Sequence, residues 1–155
     1  MKLSANFDLN EFRNSVSAIR AGIDNEPTKE HIRNIQLLVK FVLQPLREAL
    51  ESPIKITSGY RSEALNKLIK GSKRSQHCKG QAGDIQFRVG GVMKNKEIWD
   101  KVIELELPFD QMINEFDFCW IHISYNHESN RGQLLEAYKE SGKTKYKYPK
   151  VEKSL

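Results

Sequence analysis

The stretch SQHCKGQAGDIQF, residues 75–87, places a histidine in a loop shortly before an aspartate on a strand. The segment AGDIQFRV alternates in polarity, which predicts a strand with Asp84 and Ile85 on opposite faces. His77 lies in the glycine-containing loop that leads into this strand. We therefore expect the Asp84 carboxylate on the sheet face away from Ile85, where the His77 side chain can fold over it.

A second polar position lies in the otherwise apolar segment CWIHISYN, residues 119–126. His122 alternates with two isoleucines, so a strand here would place its imidazole on the face opposite to theirs. If the two strands are neighbours in one sheet, Asp84 and His122 meet on a common face beside His77. Two imidazoles and a carboxylate with an open fourth position are typical of a catalytic zinc site, but a histidine in a strand is also compatible with a hydrogen-bonded core residue.

Apolar residues at helical spacing predict a helical N-terminal layer. A helix over residues 9–22 would end at Gly22, and a longer helix over residues 28–50 would be kinked or ended early by Pro45. Further helices are predicted in SEALNKLIK, with Ser62 as N-cap, and in NKEIWDKVIELEL.

Alternating segments predict the strands, and these are SPIKITS, AGDIQFRV, FDQMINEF, CWIHISYN and a last strand in QLLEAY. A tight connection near Asp117 would join the third and fourth of them. Runs of helix followed by mostly antiparallel strands predict an α+β fold, with N-terminal helices packed on a small sheet. The length of 155 residues predicts a single domain over residues 1–155.

Composition limits the compartment and the partners. No apolar run is long enough to span a bilayer, and the N-terminus lacks the apolar region of a secretory signal, so we expect cytoplasmic synthesis without a signal peptide. The two cysteines, Cys78 and Cys119, cannot form a disulfide framework, and we expect free thiols. The net charge is +5, and residues 138–155 hold six lysines against two glutamates. Residues 141–155 are therefore predicted to be a basic, flexible tail, either simply solvated or in contact with an anionic polymer.

Together, SGYRSEALN, SQHCKGQAGD and WIHIS resemble the peptidase M15 family of zinc D-Ala-D-Ala carboxypeptidases and L-Ala-D-Glu endopeptidases, and in particular its small, phage-associated endolysin-like branch. The resemblance covers about residues 7–140. The family motif is complete in Ser75, His77, Gly80, Ala82, Asp84, Trp120 and His122. This resemblance implies a Hedgehog/DD-peptidase-like fold, a Zn²⁺ ion held by His77, Asp84 and His122, and a peptidoglycan peptide as substrate.

The resemblance also assigns roles to two residues outside the ligand set. Arg61, in SGYRS, matches the family arginine that helps to hold the substrate and stabilises charge on the carbonyl oxygen. The alternative is a surface arginine that follows a strand. Ser75 would donate to the substrate or orient its loop, and the alternative is a serine that only forms a turn.

The general base is where the chain departs from the family pattern. Many relatives have an acidic residue three positions before the last histidine, and here that position is Cys119. A thiol is a poor replacement for a carboxylate that moves protons. If FDQMINEF and CWIHISYN form a hairpin, Glu115 lies near His122 across the ladder, so Glu115 is the favoured base and Asp117 the alternative.

The sequence therefore predicts a zinc metallopeptidase that cuts peptidoglycan stem peptides or cross-links. We expect a monomer that binds neither nucleic acid nor membrane, and that reaches the wall through a holin or on a phage particle. One alternative is an inactive zinc-fold module that binds the wall or a partner protein. A nucleic-acid-binding protein would rest on charge alone. A zinc ligand from Cys78 or Cys119 would close the site and prevent catalysis.

Overall fold

The computed structural model describes residues 1–150 and confirms the α+β class. In chain order the elements are α1 (Asn10–Arg13), α2 (Val16–Ala21), α3 (Lys29–Leu38), a π-helical segment (Val39–Leu43), α4 (Gln44–Leu50), β1 (Ile54–Ser58), α5 (Glu63–Leu68), a 3₁₀ helix (Gln76–Lys79), β2 (Ala82–Val89), β3 (Val92–Met93), α6 (Asn95–Glu104), β4 (Gln111–Glu115), β5 (Trp120–Ser124), β6 (Gln133–Glu140) and β7 (Lys143–Lys147).

The strands of this region form one sheet in the order β1-β2-β5-β4-β6-β7, with β3 paired to β2. All pairs are antiparallel except β4 and β6, which run parallel. The predicted adjacency of the AGDIQFRV and CWIHISYN strands is confirmed, because β2 and β5 are direct neighbours in the sheet.

The N-terminal helix predicted over residues 9–22 is instead two short helices, α1 and α2. The break occurs because Ser15 is extended and caps α2, with its hydroxyl oxygen accepting a hydrogen bond from the backbone N–H of Ala18. Gly22 ends α2 in a left-handed conformation, as predicted.

The long helix runs through Pro45 without ending. Helical backbone continues from α3 through the π-helical segment into α4, so the predicted region of residues 28–50 agrees with the structure to within one residue. The π-helical turn lies directly before the proline, where Gln44 N–H donates to the carbonyl of Val39. A wider turn at this point accommodates a residue that has no N–H to donate and whose ring crowds the preceding turn.

The hydrophobic core lies between these helices and one face of the sheet. The fully buried side chains come from the long helix, α6 and the central strands, and include Ile35, Leu38, Val42, Leu46, Ile98, Ile85, Met112, Ile121 and Ile123. The helices therefore cover one sheet face only, and the opposite face of β2, β4 and β5 carries the polar residues described below.

The C-terminal region departs from its prediction. The strand predicted in QLLEAY is present as β6, but residues 143–147 of the predicted flexible tail form β7, which pairs antiparallel with β6. A β-branched threonine and a tyrosine between lysines suit an edge strand, where charged side chains discourage further pairing. The last five residues of the predicted tail, 151–155, lie outside the described residues. No helix within residues 1–150 has the length and apolar character needed to cross a membrane.

Candidate metal centre and its cleft

Asp84 lies at the centre of a cluster formed with two histidines. Asp84 on β2 is directly opposite His122 on β5, and its Oδ1 atom lies 3.1 Å from Nδ1 of His122. The same Oδ1 atom lies 3.2 Å from Nε2 of His77. Ligand atoms of all three side chains lie within 4.8 Å of one another. Within residues 1–150, this is the only group of three or more histidine, cysteine or acidic side chains close enough to share a metal ion.

His77 is held in place from both sides of its ring. Its Nδ1 atom donates to the carbonyl oxygen of Gly59 at 2.7 Å, and its Nε2 atom faces the Asp84 carboxylate. The hydroxyl oxygen of Ser75 accepts from the backbone N–H of His77 at 3.2 Å and caps the 3₁₀ helix. A histidine whose outer nitrogen donates to a carbonyl is typical of a metal ligand with a fixed tautomer.

The loop that carries His77 is anchored on α3. Its 3₁₀ helix ends at Gly80, which has a φ of 73°, and a Cβ atom there would collide with the carbonyl oxygen of His31. The side-chain amide of Asn34 donates to the carbonyl of Lys79 at 2.8 Å. A glycine is therefore required at this position both by the backbone conformation and by the close approach of the helix.

The Asp84 carboxyl is buried and remains ionised. Burial alone would raise its pKa, but the nearby charge of His77 and the hydrogen bonds from His122 and His77 outweigh burial and hold the pKa far below the ordinary value. Arg61 adds a further partner, with its Nη2 atom 3.4 Å from Oδ2 of Asp84. An anionic carboxylate between two imidazoles fits the ligand set of a catalytic zinc ion, which takes three protein ligands and leaves one position for chemistry.

The cluster lies in a cleft of about 660 Å³, a volume suited to a short peptide. The cleft is lined by the three cluster residues and by Arg61, Ser75, Glu115, Trp120, Arg131 and Tyr146, among others. All of the site residues predicted from the sequence therefore line one cleft.

Glu115 faces this cleft from the end of β4. The predicted hairpin is present, with Asn114 opposite Ile121 and Glu115 opposite Trp120, so Glu115 is diagonal to His122 on the same face. Burial raises the pKa of Glu115 to about 7, with the charge of Asp84 adding to the rise and the charges of His122 and Arg61 opposing it. A carboxyl that titrates near neutrality is suited to accept and return a proton.

The competing acid and the cysteines point elsewhere. Residues 116–118 all have positive φ values, of 52°, 54° and 61°, and this tight connection leaves Asp117 exposed and outside the cleft lining. Cys78 and Cys119 are free thiols, as predicted, and neither lines the cleft. Among the described residues, Asp84 and Glu115 are the acidic side chains that line it.

Arg61 is fixed beside the cluster by several partners. Besides its contact with Asp84, its Nε atom donates to the hydroxyl of Ser58 at 3.3 Å and its Nη1 atom to Oδ1 of Asn66 at 3.4 Å. Asn66 is buried and donates to the carbonyl of Ser72 at 2.8 Å. These contacts hold the Arg61 side chain in one position beside Asp84, which disagrees with the alternative of a surface arginine that only follows a strand.

Sequence reasoning missed a second polar network at the cleft rim. Asp110, directly before β4, binds the guanidinium of Arg131, and Gln76 donates to the same carboxylate. Tyr146 on β7 was also missed as a cleft residue. Gln76 lies inside the motif stretch, but nothing in the spacing of Asp110 and Arg131 indicates that they meet.

Two histidines and an ionised aspartate beside a separate glutamate, all in a peptide-sized cleft, define a hydrolase of the metallopeptidase class. The profile of the family described as Peptidase M15 matches residues 5–124, and the chain belongs to this family. Peptidases of this family are generally zinc-dependent. Among curated proteins, no relative matches the chain. The matched region ends with β5, so β6 and β7 lie beyond it.

Proposed function

We propose that this protein is a zinc metallopeptidase that hydrolyses peptide bonds in peptidoglycan stem peptides or cross-links. The observation that carries the proposal is the convergence of His77, Asp84 and His122 with Glu115 in one cleft of an M15 peptidase. An endolysin-like role, with a holin or a phage particle bringing a monomeric enzyme to the wall, is the biological setting that we attach to this activity.

The ligand set supports the choice of Zn²⁺ as the metal. His77 through Nε2, His122 through Nδ1 and the Asp84 carboxylate would hold Zn²⁺. A zinc ion bound there would lower the pKa of a water molecule and polarise the substrate carbonyl. The carbonyl of Gly59 keeps the His77 ring in the tautomer that this role requires.

Glu115 is the proton carrier in this proposal. Its carboxylate accepts a proton from the attacking water and returns it to the amine that leaves when the peptide bond breaks. Both transfers need a group whose pKa lies near the working pH, and burial in the cleft raises the pKa of Glu115 to about 7. Asp117 does not line the cleft and is the weaker candidate.

Arg61 and Ser75 hold the substrate. The guanidinium of Arg61 donates to the carbonyl oxygen of the scissile bond, where negative charge develops, an interaction worth about 3 kcal/mol when such a donor is preorganised. The Ser75 oxygen already accepts from the backbone of His77, and its hydroxyl hydrogen is left to donate to the peptide.

A second candidate function keeps the zinc and lacks catalysis. Cys119 stands where many relatives have the acidic residue, which favours a module that binds the wall or a partner protein. The placement of Glu115 in the cleft supports the enzyme instead.

The test is digestion of purified peptidoglycan by the zinc-loaded protein, with products read by mass spectrometry. We expect defined stem-peptide fragments from the wild type, almost none from His122→Ala, and a loss of about 10²- to 10⁴-fold in rate for Glu115→Gln. Asp117→Asn is the matched control and is expected to retain full activity. A zinc-bound wild type that releases nothing would establish the non-catalytic module, and an inactive Asp117→Asn would move the base to Asp117.

A further inference from the structure

The connection between β4 and β5 follows directly on Glu115 and leads into the strand that carries His122. Its first three residues, Phe116, Asp117 and Phe118, all have left-handed backbone conformations, with φ values of 52°, 54° and 61°. Residues other than glycine rarely adopt this conformation, because the Cβ atom then approaches the following carbonyl oxygen. Three such residues in succession persist only where the surrounding structure holds them.

The side-chain amide of Asn95 joins this connection to β2. Asn95 is the first residue of α6 and is only 2% exposed. Its Oδ1 atom accepts from the backbone N–H of Phe87 at 2.8 Å, and its Nδ2 atom donates to the carbonyl of Phe118 at 2.8 Å and to that of Cys119 at 3.1 Å. The register of β2 and β5 would place Phe87 opposite Cys119. The amide therefore extends the ladder between β2 and β5 past its last backbone pair.

Other contacts on the connection are either local or exposed. Oδ1 of the buried Asn114 accepts from Phe118 N–H at 2.6 Å, but Asn114 belongs to β4 itself and cannot fix the connection relative to β2. The Phe118 ring packs edge-on against Trp99 of α6, with 6.2 Å between the ring centroids. Gln86 of β2 donates to the Cys119 carbonyl at 3.1 Å in an exposed hydrogen bond, which water can replace. Asn95 therefore makes the buried polar link between the connection and β2.

We infer that Asn95 is a positioning residue for the peptidase reaction, because it holds the left-handed connection and thereby fixes Glu115 relative to Asp84 on β2. The inference rests on the proposed function and deepens it. Glu115 directly precedes the connection, and its carbonyl accepts from Cys119 N–H at 3.0 Å. A proton carrier must lie within hydrogen-bond reach of the group that it serves, so a small displacement of Glu115 lowers the rate of the chemical step. Asn95 does not line the cleft, and its effect on the reaction is therefore indirect.

Steady-state kinetics on a soluble stem peptide separate positioning from substrate binding. The wild type and Asn95→Ala are compared as zinc-loaded proteins. We expect Asn95→Ala to lower kcat about 10- to 100-fold and to leave KM within about twofold, because the residues that line the cleft are unchanged. Ile98→Val alters a fully buried residue of the same helix without touching the connection. It is the control for weakened packing of α6 and should keep kcat within about twofold.

A second substitution tests whether the left-handed connection is the element that Asn95 holds. Asp117 is exposed, and within residues 1–150 its side chain has no hydrogen-bond or ion-pair partner, so Asp117→Gly removes no such contact. Glycine adopts the left-handed conformation without the cost that a Cβ atom adds. Introduced into the Asn95→Ala protein, Asp117→Gly should therefore raise kcat by about threefold or more.

Amide hydrogen exchange on the same proteins measures the connection independently of activity. The N–H groups of Phe118 and Cys119 are both hydrogen-bonded within the hairpin, to Asn114 and Glu115. We expect these two amides to exchange about tenfold faster or more in Asn95→Ala than in the wild type. The protected amides of the paired strands β4 and β5 should keep their exchange rates, since Asn95 makes no contact with them.

The two readouts distinguish a failure of this inference from a failure of the proposed function. An active wild type with an unchanged kcat in Asn95→Ala would overturn the inference and keep the peptidase. A wild type that cleaves no peptide, together with faster exchange in Asn95→Ala, would overturn the peptidase and keep Asn95 as the residue that holds the connection. A lower kcat without rescue and without faster exchange would also overturn the inference. If Asn95→Ala does not fold, Asn95→Asp keeps the acceptor for Phe87, removes the donor, and is subject to the same outcomes.

Discussion

The two faces of β5 show how one strand serves two different parts of the molecule. Ile121 and Ile123 are fully buried in the core, packed toward the helices, while His122 between them faces the cleft and pairs with Asp84. Because side chains alternate along a strand, the stability of the fold and the chemistry of the site are assigned to alternate positions. A shift of one residue in register would exchange them and destroy both.

The same division runs across the neighbouring strands. On β2 the core face carries Ile85 and the cleft face Asp84, and on β4 Met112 is fully buried while Glu115 faces the cleft. The core face is stabilised by the burial of apolar area, so it tolerates substitution by apolar residues of similar size and shape. The cleft face holds a buried carboxylate that is stable only with its partners, so it tolerates no loss of a partner.

Substitution of adjacent residues on β5 gives the largest expected contrast. His122→Ala should lose zinc binding and reduce peptidase activity by about 10³-fold or more, because a bound metal would stabilise the transition state by several kcal/mol. Ile121→Ala should instead destabilise the fold by about 2 to 5 kcal/mol and keep its zinc while folded. Zinc content after dialysis and urea unfolding of both variants test the pair.

The expected difference between the His122→Ala and Ile121→Ala variants would be contradicted if the Ile121→Ala protein lost zinc under conditions where it is fully folded. The cleft would then depend on the core packing beneath it, and the two faces would not be separable. Ile123→Ala, on the same face one alternation further along, serves as the second core variant.

The part of this arrangement that depends on alternation was predictable from the sequence, and the part that depends on distant register was not. His122 and Asp84 could be assigned to one face because each alternates with apolar residues on its own strand. Glu115 could be placed because a tight hairpin connects it to His122.

Asp110 and Arg131 meet because the loop after β5 brings β6 alongside β4 as a parallel neighbour. No local sequence pattern indicates that β4 and β6 pair. β7 was missed because alternating lysines resemble a solvated tail as closely as they resemble an edge strand. The division of the first helix at Ser15 was missed because its capping role competes with an otherwise continuous apolar pattern.

Glu115 should reveal its burial in the pH dependence of stability of the zinc-free protein. Its pKa is raised from 4.5 to about 7 in the folded state, so the folded protein holds a proton there that the unfolded chain releases. Relative to Glu115→Gln, the wild type should lose about 1 to 3 kcal/mol of unfolding free energy as pH rises from 4.5 to 7.

Urea unfolding of both proteins at several pH values measures this difference, and the subtraction removes the contributions of all other groups. A constant difference between pH 4.5 and 7 would show that Glu115 is well solvated. Its position on the cleft face of β4 would then provide no special environment for proton transfer.

The smallest expected effect tests how far the cleft face extends toward the sheet edge. The register aligns Glu115, Ala137 and Tyr146 in one row across β4, β6 and β7, and Tyr146 lines the cleft although it is 54% exposed. Burial and the charge of Glu115 both raise the pKa of Tyr146, which agrees with this proximity. We therefore expect Tyr146 to contact the bound peptide.

Tyr146→Ala should lower kcat/KM by about 3- to 10-fold, mainly through KM, because a partly exposed aromatic contact contributes about 0.5 to 1.5 kcal/mol. Tyr148 is 76% exposed and does not line the cleft, so Tyr148→Ala should stay within about twofold of the wild type. Equal effects of the two substitutions would confine substrate contacts to β2, β4 and β5, within the region that the family profile matches. A selective loss at Tyr146 would extend the functional face to β7, beyond that region, and make the C-terminal hairpin part of the enzyme's specificity.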